Sequence, residues 1–112
     1  MSTAPGAGFH YHVEETKDEA NYITTTIKCQ GRLVSENTDE LRKIVQPLLE
    51  RGGRTVLDFA NVEYLDSSGL GAIVGLKVSA IHRGLCVLEL VNLTPRVKQL
   101  LSITNLLQLF SS

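Results

Sequence analysis

The chain has 112 residues, 43% hydrophobic and 21% charged, with a formal net charge of −1 and a pI of about 6.3. That size fits one domain with a real core and argues against wholesale disorder. The charge balance gives no bulk attraction to nucleic acid or to an anionic membrane. No apolar run is long enough to cross a bilayer, and no basic region followed by an apolar block opens the chain. Neither a membrane segment nor a signal peptide is expected.

Met1 to Gly8 has no bulky apolar side chain after Met1 and reads as a flexible tail ahead of a domain over residues 9–112. Phe9 to Glu14 reads as a first strand with His10, His12 and Glu14 on one face. A His-x-His pair can bind a metal, but no further Cys or His lies nearby, so a solvated strand face is expected and no metal. Thr16 to Asn21 is a polar turn. In Tyr22 to Gln30, Ile23, Thr25, Ile27 and Cys29 alternate with polar residues, the pattern of a half-buried strand. The two strands should pair as an antiparallel hairpin. Cys29 and Cys86 are far apart in strand-like contexts, so reduced core thiols in a cytosolic protein are expected.

Gly31 to Glu36 is a connection. Asn37 is the expected N-cap of a first helix, with Glu40 completing a capping box. Leu41, Ile44, Val45, Leu48 and Leu49 then follow helical spacing. Arg42 and Lys43 should be solvated, Pro47 should kink the last turns, and Gly52-Gly53 should end the helix. Arg54 to Phe59 is a short, central, apolar strand. A second helix is expected from about Ser68 to Arg83, stopped by Gly84, with Leu70, Ile73, Val74, Val78 and Ile81 as its core stripe. Gly71, Gly75 and Ser79 make a second stripe of small residues. Glycine inside a helix costs roughly 1 kcal/mol relative to Ala, so close packing by the sheet or a neighbouring helix is expected there. The alternative is a partner protein. Leu85 to Val91 is another strand. Thr94-Pro95 opens a third helix with Val97, Leu100 and Leu101 inside, and Leu106 to Phe110 reads as a short edge strand. This order gives an α/β domain with a mixed sheet of four to five strands and right-handed crossovers.

The chemistry concentrates at Asp66-Ser67-Ser68-Gly69-Leu70-Gly71, where a strand becomes a helix. Such a junction presents free N–H groups and the positive end of a helix dipole. Enzyme readings fail on spacing. A hydrolase elbow needs Gly-x-Ser-x-Gly, but Leu65 precedes Ser67 by two and Asp66 precedes Ser68 by two. His82, the only histidine outside the first strand, has no carboxylate to orient it. A dinucleotide fingerprint fits Gly69 and Gly71 but meets Val74 where a third glycine belongs. No Gly-Lys-Ser/Thr phosphate loop exists. Helix capping explains one polar side chain at the junction, not three in a row. A phosphoryl group on a serine here would be tolerated by the helix end and would charge a surface able to dock a neutral partner.

The run Val56-Leu57-Asp58-Phe59-Ala60-Asn61-Val62-Glu63-Tyr64-Leu65-Asp66-Ser67-Ser68-Gly69-Leu70-Gly71 resembles the signature of the STAS family. It is most similar to the bacterial anti-sigma factor antagonists, from Gly31-Arg32-Leu33 through Thr94-Pro95-Arg96-Val97 to Leu106. The resemblance implies a single small STAS domain without catalysis or cofactor. It puts phosphorylation on the serine after the Asp, Ser67, by a partner anti-sigma factor that is also a serine kinase. Unphosphorylated, the protein would hold that partner and free a sigma factor. Asp66, Ser67, Ser68 and Gly69 become the partner-binding residues, a phosphatase is a further candidate partner, and self-association is left open. Many members carry an Asp where Val34-Ser35-Glu36 stands here. Relatives often have one more helix after the last apolar run, so an exposed sheet edge or face is expected. Two alternatives remain: a STAS module of another assembly, such as a stress-signalling scaffold or a lipid-transport complex, with Ser67 only a cap, or a domain holding a nucleotide or anion at the helix end.

Overall fold

The computed structural model describes residues 8–110. The expected tail lies outside them apart from Gly8. The elements are β1 (Phe9–Lys17), β2 (Ile23–Leu33), α1 (Thr38–Arg51), β3 (Gly53–Leu65), α2 (Ser67–Arg83), β4 (Cys86–Val91), α3 (Pro95–Ile103) and α4 (Leu107–Phe110). The four strands form one mixed sheet in the order β1-β2-β3-β4. β1 and β2 are the expected antiparallel hairpin, with Val13 opposite Ile27. Its turn is tied by the Asp18 carboxylate, which accepts the amides of Ala20 (2.8 Å) and Tyr22 (2.9 Å). β2–β3 and β3–β4 are parallel, and Ile27, Leu57 and Leu90 lie side by side.

Alternation in β2 works as the sequence suggests, with Thr25, Ile27 and Cys29 buried. Ile27 and Cys29 join Leu57, Phe59, Leu88 and Leu90 in a core closed by Leu41, Val45 and Leu49 of α1 and Ile73, Leu76 and Ala80 of α2. The opposite face carries ion pairs among its apolar residues, with Arg54 Nε donating to Glu89 Oε1 (3.0 Å) and Lys28 against Glu14 (3.3 Å). Both cysteines are buried free thiols. Burial, with a smaller contribution from the Asp58 charge, pushes the Cys29 thiol up to about 12.

Several elements differ from the sequence reading. β3 runs on through Leu65 because register shifts against β2, between Lys28 and Gln30 and between Gly31 and Arg32, re-aim the strand. Such irregularities break strict alternation, and here they return Val62 and Leu65 to the core. Asn37 precedes α1 but makes no side-chain cap. Its Oδ1 accepts the Val34 amide (2.8 Å) and its Nδ2 donates to the Arg32 carbonyl (2.9 Å), so the side chain holds the exit of β2 instead. On α1 the deepest residues are Leu41, Val45 and Leu49, one every four residues, while Ile44 and Leu48 are half-buried flanks. Lys43 is exposed as expected, but Arg42 is half-buried, its guanidinium on Asp39 (3.2 Å). Leu106 to Phe110 contains a helical turn, not an edge strand. The Thr104 hydroxyl bonds the Leu100 carbonyl (2.9 Å), ending α3, and Asn105, with φ of 61°, reverses the chain. An apolar run this short carries no decisive period.

Candidate functional site: the start of α2

The parallel pairing of β2 and β3 brings their carboxyl ends to one corner of the sheet, with Leu33 beside Leu65. The loop leaving β2 and the start of α2 therefore meet there. Asp66 is the N-cap of α2, in extended backbone, and its Oδ1 accepts the Gly69 amide (2.8 Å). Its carbonyl takes the first helical bond, from the Leu70 amide (2.9 Å). Its Oδ2 accepts the Ser35 amide (3.3 Å), and its own amide donates to the Leu33 carbonyl (3.4 Å). One carboxylate thus spans two loops that are 31 positions apart in sequence.

Helix α2 starts one residue earlier than the spacing predicts. Ser67 is a first-turn residue, not the cap, and Ser68 follows it in the same turn. Both are exposed. Neither hydroxyl hydrogen-bonds another described group, and the Ser67 and Ser68 amides have no acceptor among the described residues. Two free amide donors at a helix N-terminus favour negative charge beside them. Gly69 is buried. A Cβ there would collide with the Leu33 carbonyl and come within 2.7 Å of Leu65 Cδ1, so only glycine lets α2 sit this close to β2.

The structure thus brings Asp66, Ser67, Ser68 and Gly69 together and adds Leu33 and Ser35, which the sequence did not single out as contacts. The one available signal was the position of Val34-Ser35-Glu36, where many members of the family carry an Asp. Beside the corner, the Arg32 guanidinium lies 5.1 Å above the Tyr64 ring. On the His10, His12 and Glu14 face of β1, His12 and Glu14 are exposed and 3.5 Å apart, while His10 is half-buried. No group of three or more His, Cys, Asp or Glu side chains gathers in metal-binding geometry among the described residues.

The exposed side of α2 corrects two expectations. Val78 and Ile81 are not core residues but 51% and 60% exposed; Ala72, Leu76 and Ala80 are buried instead. Gly71 and Gly75 meet no packed neighbour, since a Cβ at either would find nothing within 4 Å. The helix has rotated so that Gly69, not the stripe of small residues, faces the sheet.

A four-stranded mixed sheet, with two serines exposed behind the Asp66 cap where β3 passes into α2, defines a small α/β domain. A family model of the STAS domain matches residues 13–112, and the chain belongs to that family. It is 34% identical to a STAS-domain containing protein of Pseudomonas aeruginosa (strain UCBPP-PA14) over 85 residues, which is 76% of this chain and 83% of that protein. It is 29% identical to the anti-sigma-B factor antagonist of Staphylococcus aureus (strain NCTC 8325 / PS 47) over 96 residues, 85% of each chain. Among solved structures it resembles the unphosphorylated anti-sigma factor antagonist SpoIIAA, with a TM-score of 0.70, 20% identity, and 88% of this chain and 84% of that chain covered. The likeness extends to the phosphorylated form of the Bacillus protein, with a TM-score of 0.66, 19% identity, and coverage of 87% and 85%.

Proposed function

We propose that this protein is an anti-sigma factor antagonist that works in the cytosol as a phosphorylation-controlled binding switch. It has no catalytic role of its own. With a free Ser67 hydroxyl it captures an anti-sigma factor that is also a serine kinase, and so releases a sigma factor for transcription. Phosphorylation of Ser67 by that partner ends the capture, and a phosphatase restores it. The names of the relatives support the partner class.

The observation that carries the reading is the state of Ser67: an exposed, unbonded hydroxyl in the first turn of a helix whose capping is done by another residue. The hydroxyl is thus available to a kinase without cost to the fold. A phosphate there adds a charge of about −1.5 to −2. The helix end accommodates that charge in the free protein, but an interface that desolvates it without a partner loses about 2–5 kcal/mol. The test is a pull-down from host lysate with the unphosphorylated chain, followed by phosphosite mapping of the bait after incubation with ATP. Capture of an anti-sigma factor with phosphate on Ser67 is expected. Phosphate on Ser68 alone, or on neither serine, would remove the switch and leave only the STAS assignment.

A further inference from the structure

We propose that Asp66 is the positioning residue that keeps Ser67 available as phosphate acceptor, an inference that rests on the switch reading of Ser67. Three adjacent residues here are all good helix caps, because serine ranks with aspartate at that position. A serine that caps a helix turns its oxygen inward onto an amide of the first turn. A serine one place later projects its hydroxyl away from that amide. The choice of cap therefore decides whether Ser67 is engaged or free.

The contacts that make the choice lie outside the helix. The Asp66 carboxylate has two oxygens and uses them in different directions, Oδ1 on the Gly69 amide and Oδ2 on the Ser35 amide. A serine hydroxyl has one oxygen and cannot span both. The Asp66 amide is held by the Leu33 carbonyl, and the Gly69 backbone lies against that same carbonyl. The loop that carries Ser35 is fixed in turn by Asn37, through the Val34 amide and the Arg32 carbonyl. The start of α2 is thus registered against the end of β2. Without the carboxylate, the first turn loses this register and Ser67 becomes the next cap. Its Oγ then accepts the Leu70 amide, now bonded to the Asp66 carbonyl. Phosphoryl transfer needs that oxygen free: Oγ bonds to the γ-phosphorus of ATP as the bond to the bridging oxygen breaks, ADP leaves, and the hydroxyl proton passes to a base of the kinase.

The experiment compares wild type, Asp66→Ala and Asp66→Asn with the kinase recovered in the pull-down and labelled ATP, mapping each site. Hydrogen exchange of the Gly69 and Leu70 amides is followed by NMR on the same proteins without kinase. In Asp66→Ala, labelling of Ser67 should fall about tenfold, with the Gly69 amide exposed and the Leu70 amide still protected. Asp66→Asn keeps an oxygen for the Gly69 amide but loses the Ser35 bond, so its labelling of Ser67 should fall by about threefold, between wild type and Asp66→Ala. Labelling of Asp66→Ala at the wild-type rate overturns the inference. So does an Asn variant as slow as the Ala variant with Gly69 still protected, since the kinase would then be reading the charge itself. Should Asp66→Ala not hold its fold, the Asn variant decides alone by that criterion. If wild-type Ser67 takes no label, the switch reading fails instead. The amide pattern of Asp66→Ala still judges the cap, with loss of Leu70 protection counting against it.

Discussion

Two substitutions on α2, two residues apart, should move stability in opposite directions. Gly69→Ala and Gly71→Ala make the same chemical change in the same helix. Neither glycine has a positive φ, so alanine is conformationally allowed at both and helix propensity favours it by about 1 kcal/mol. At Gly71 the new methyl group meets nothing within 4 Å, so the whole gain should appear, about 0.5–1 kcal/mol. At Gly69 the methyl collides with the Leu33 carbonyl, which is backbone fixed by the β2–β3 pairing, and stands 2.7 Å from Leu65 Cδ1. Overpacking of this kind costs about 1–3 kcal/mol. A rigid carbonyl puts it near the top of that range, for a net loss of about 2 kcal/mol. At roughly 4 °C per kcal/mol for a chain of this size, the melting temperature should fall by about 8 °C for Gly69→Ala and rise by about 2–4 °C for Gly71→Ala. Thermal unfolding followed by circular dichroism measures both. Equal shifts of one sign would refute the placement of Gly69 against β2, and with it the rotation assigned to α2.

Three other outcomes are expected. Ser67→Ala should still bind the anti-sigma partner while Ser67→Asp binds more weakly by calorimetry; equal affinities for both and for wild type would remove the electrostatic basis of the switch. On α1, Leu49→Ala should cost about 2–5 kcal/mol in urea unfolding because Leu49 is fully buried, and the half-buried Leu48→Ala only about 1–2 kcal/mol; the reverse order would mean that the helix faces the sheet differently. Cys29 keeps its proton in the folded chain up to about 12, against 9.0 for a free thiol. Between those values the unfolded chain binds fewer protons, so stability should fall as pH rises through that window, by up to about 1.4 kcal/mol per unit. Cys29→Ala should show a shallower decline over the same range, and an identical slope would place the thiol in water.

The legible parts of this sequence are those where one residue type in one pattern admits one structure. Thr25, Ile27 and Cys29 alternate, and they fill one face of β2. Thr94 and Pro95 cap and open α3, with the Thr94 hydroxyl 3.4 Å from the Val97 amide. Asp66, Ser67, Ser68 and Gly69 come together because a strand-to-helix junction is local. What failed to show in the sequence depends on distant partners. Asn37 has cap chemistry, but the loop from Arg32 to Val34 offers its amide side chain better bonds than α1 does. The stripe of α2 was misjudged because apolar residues outnumber inward positions on that helix. A close contact at Gly69 fixes its rotation, and Val78 and Ile81 are left outside. The register shifts that extend β3 to Leu65 belong to the pairing with β2, and no single strand encodes them.

The bond between Ser35 and Asp66 also bears on when the protein becomes competent. It joins segments that meet only after β2, the crossover helix α1 and β3 have docked as a parallel unit. Parallel pairing is among the slower steps of folding, since loop closure precedes its reward. An unfolded chain, or one interrupted before α2, carries some or all of the same residues but not the corner where they converge. Under the proposed switch, competence to hold a partner is therefore a property of the folded molecule and not of the linear sequence.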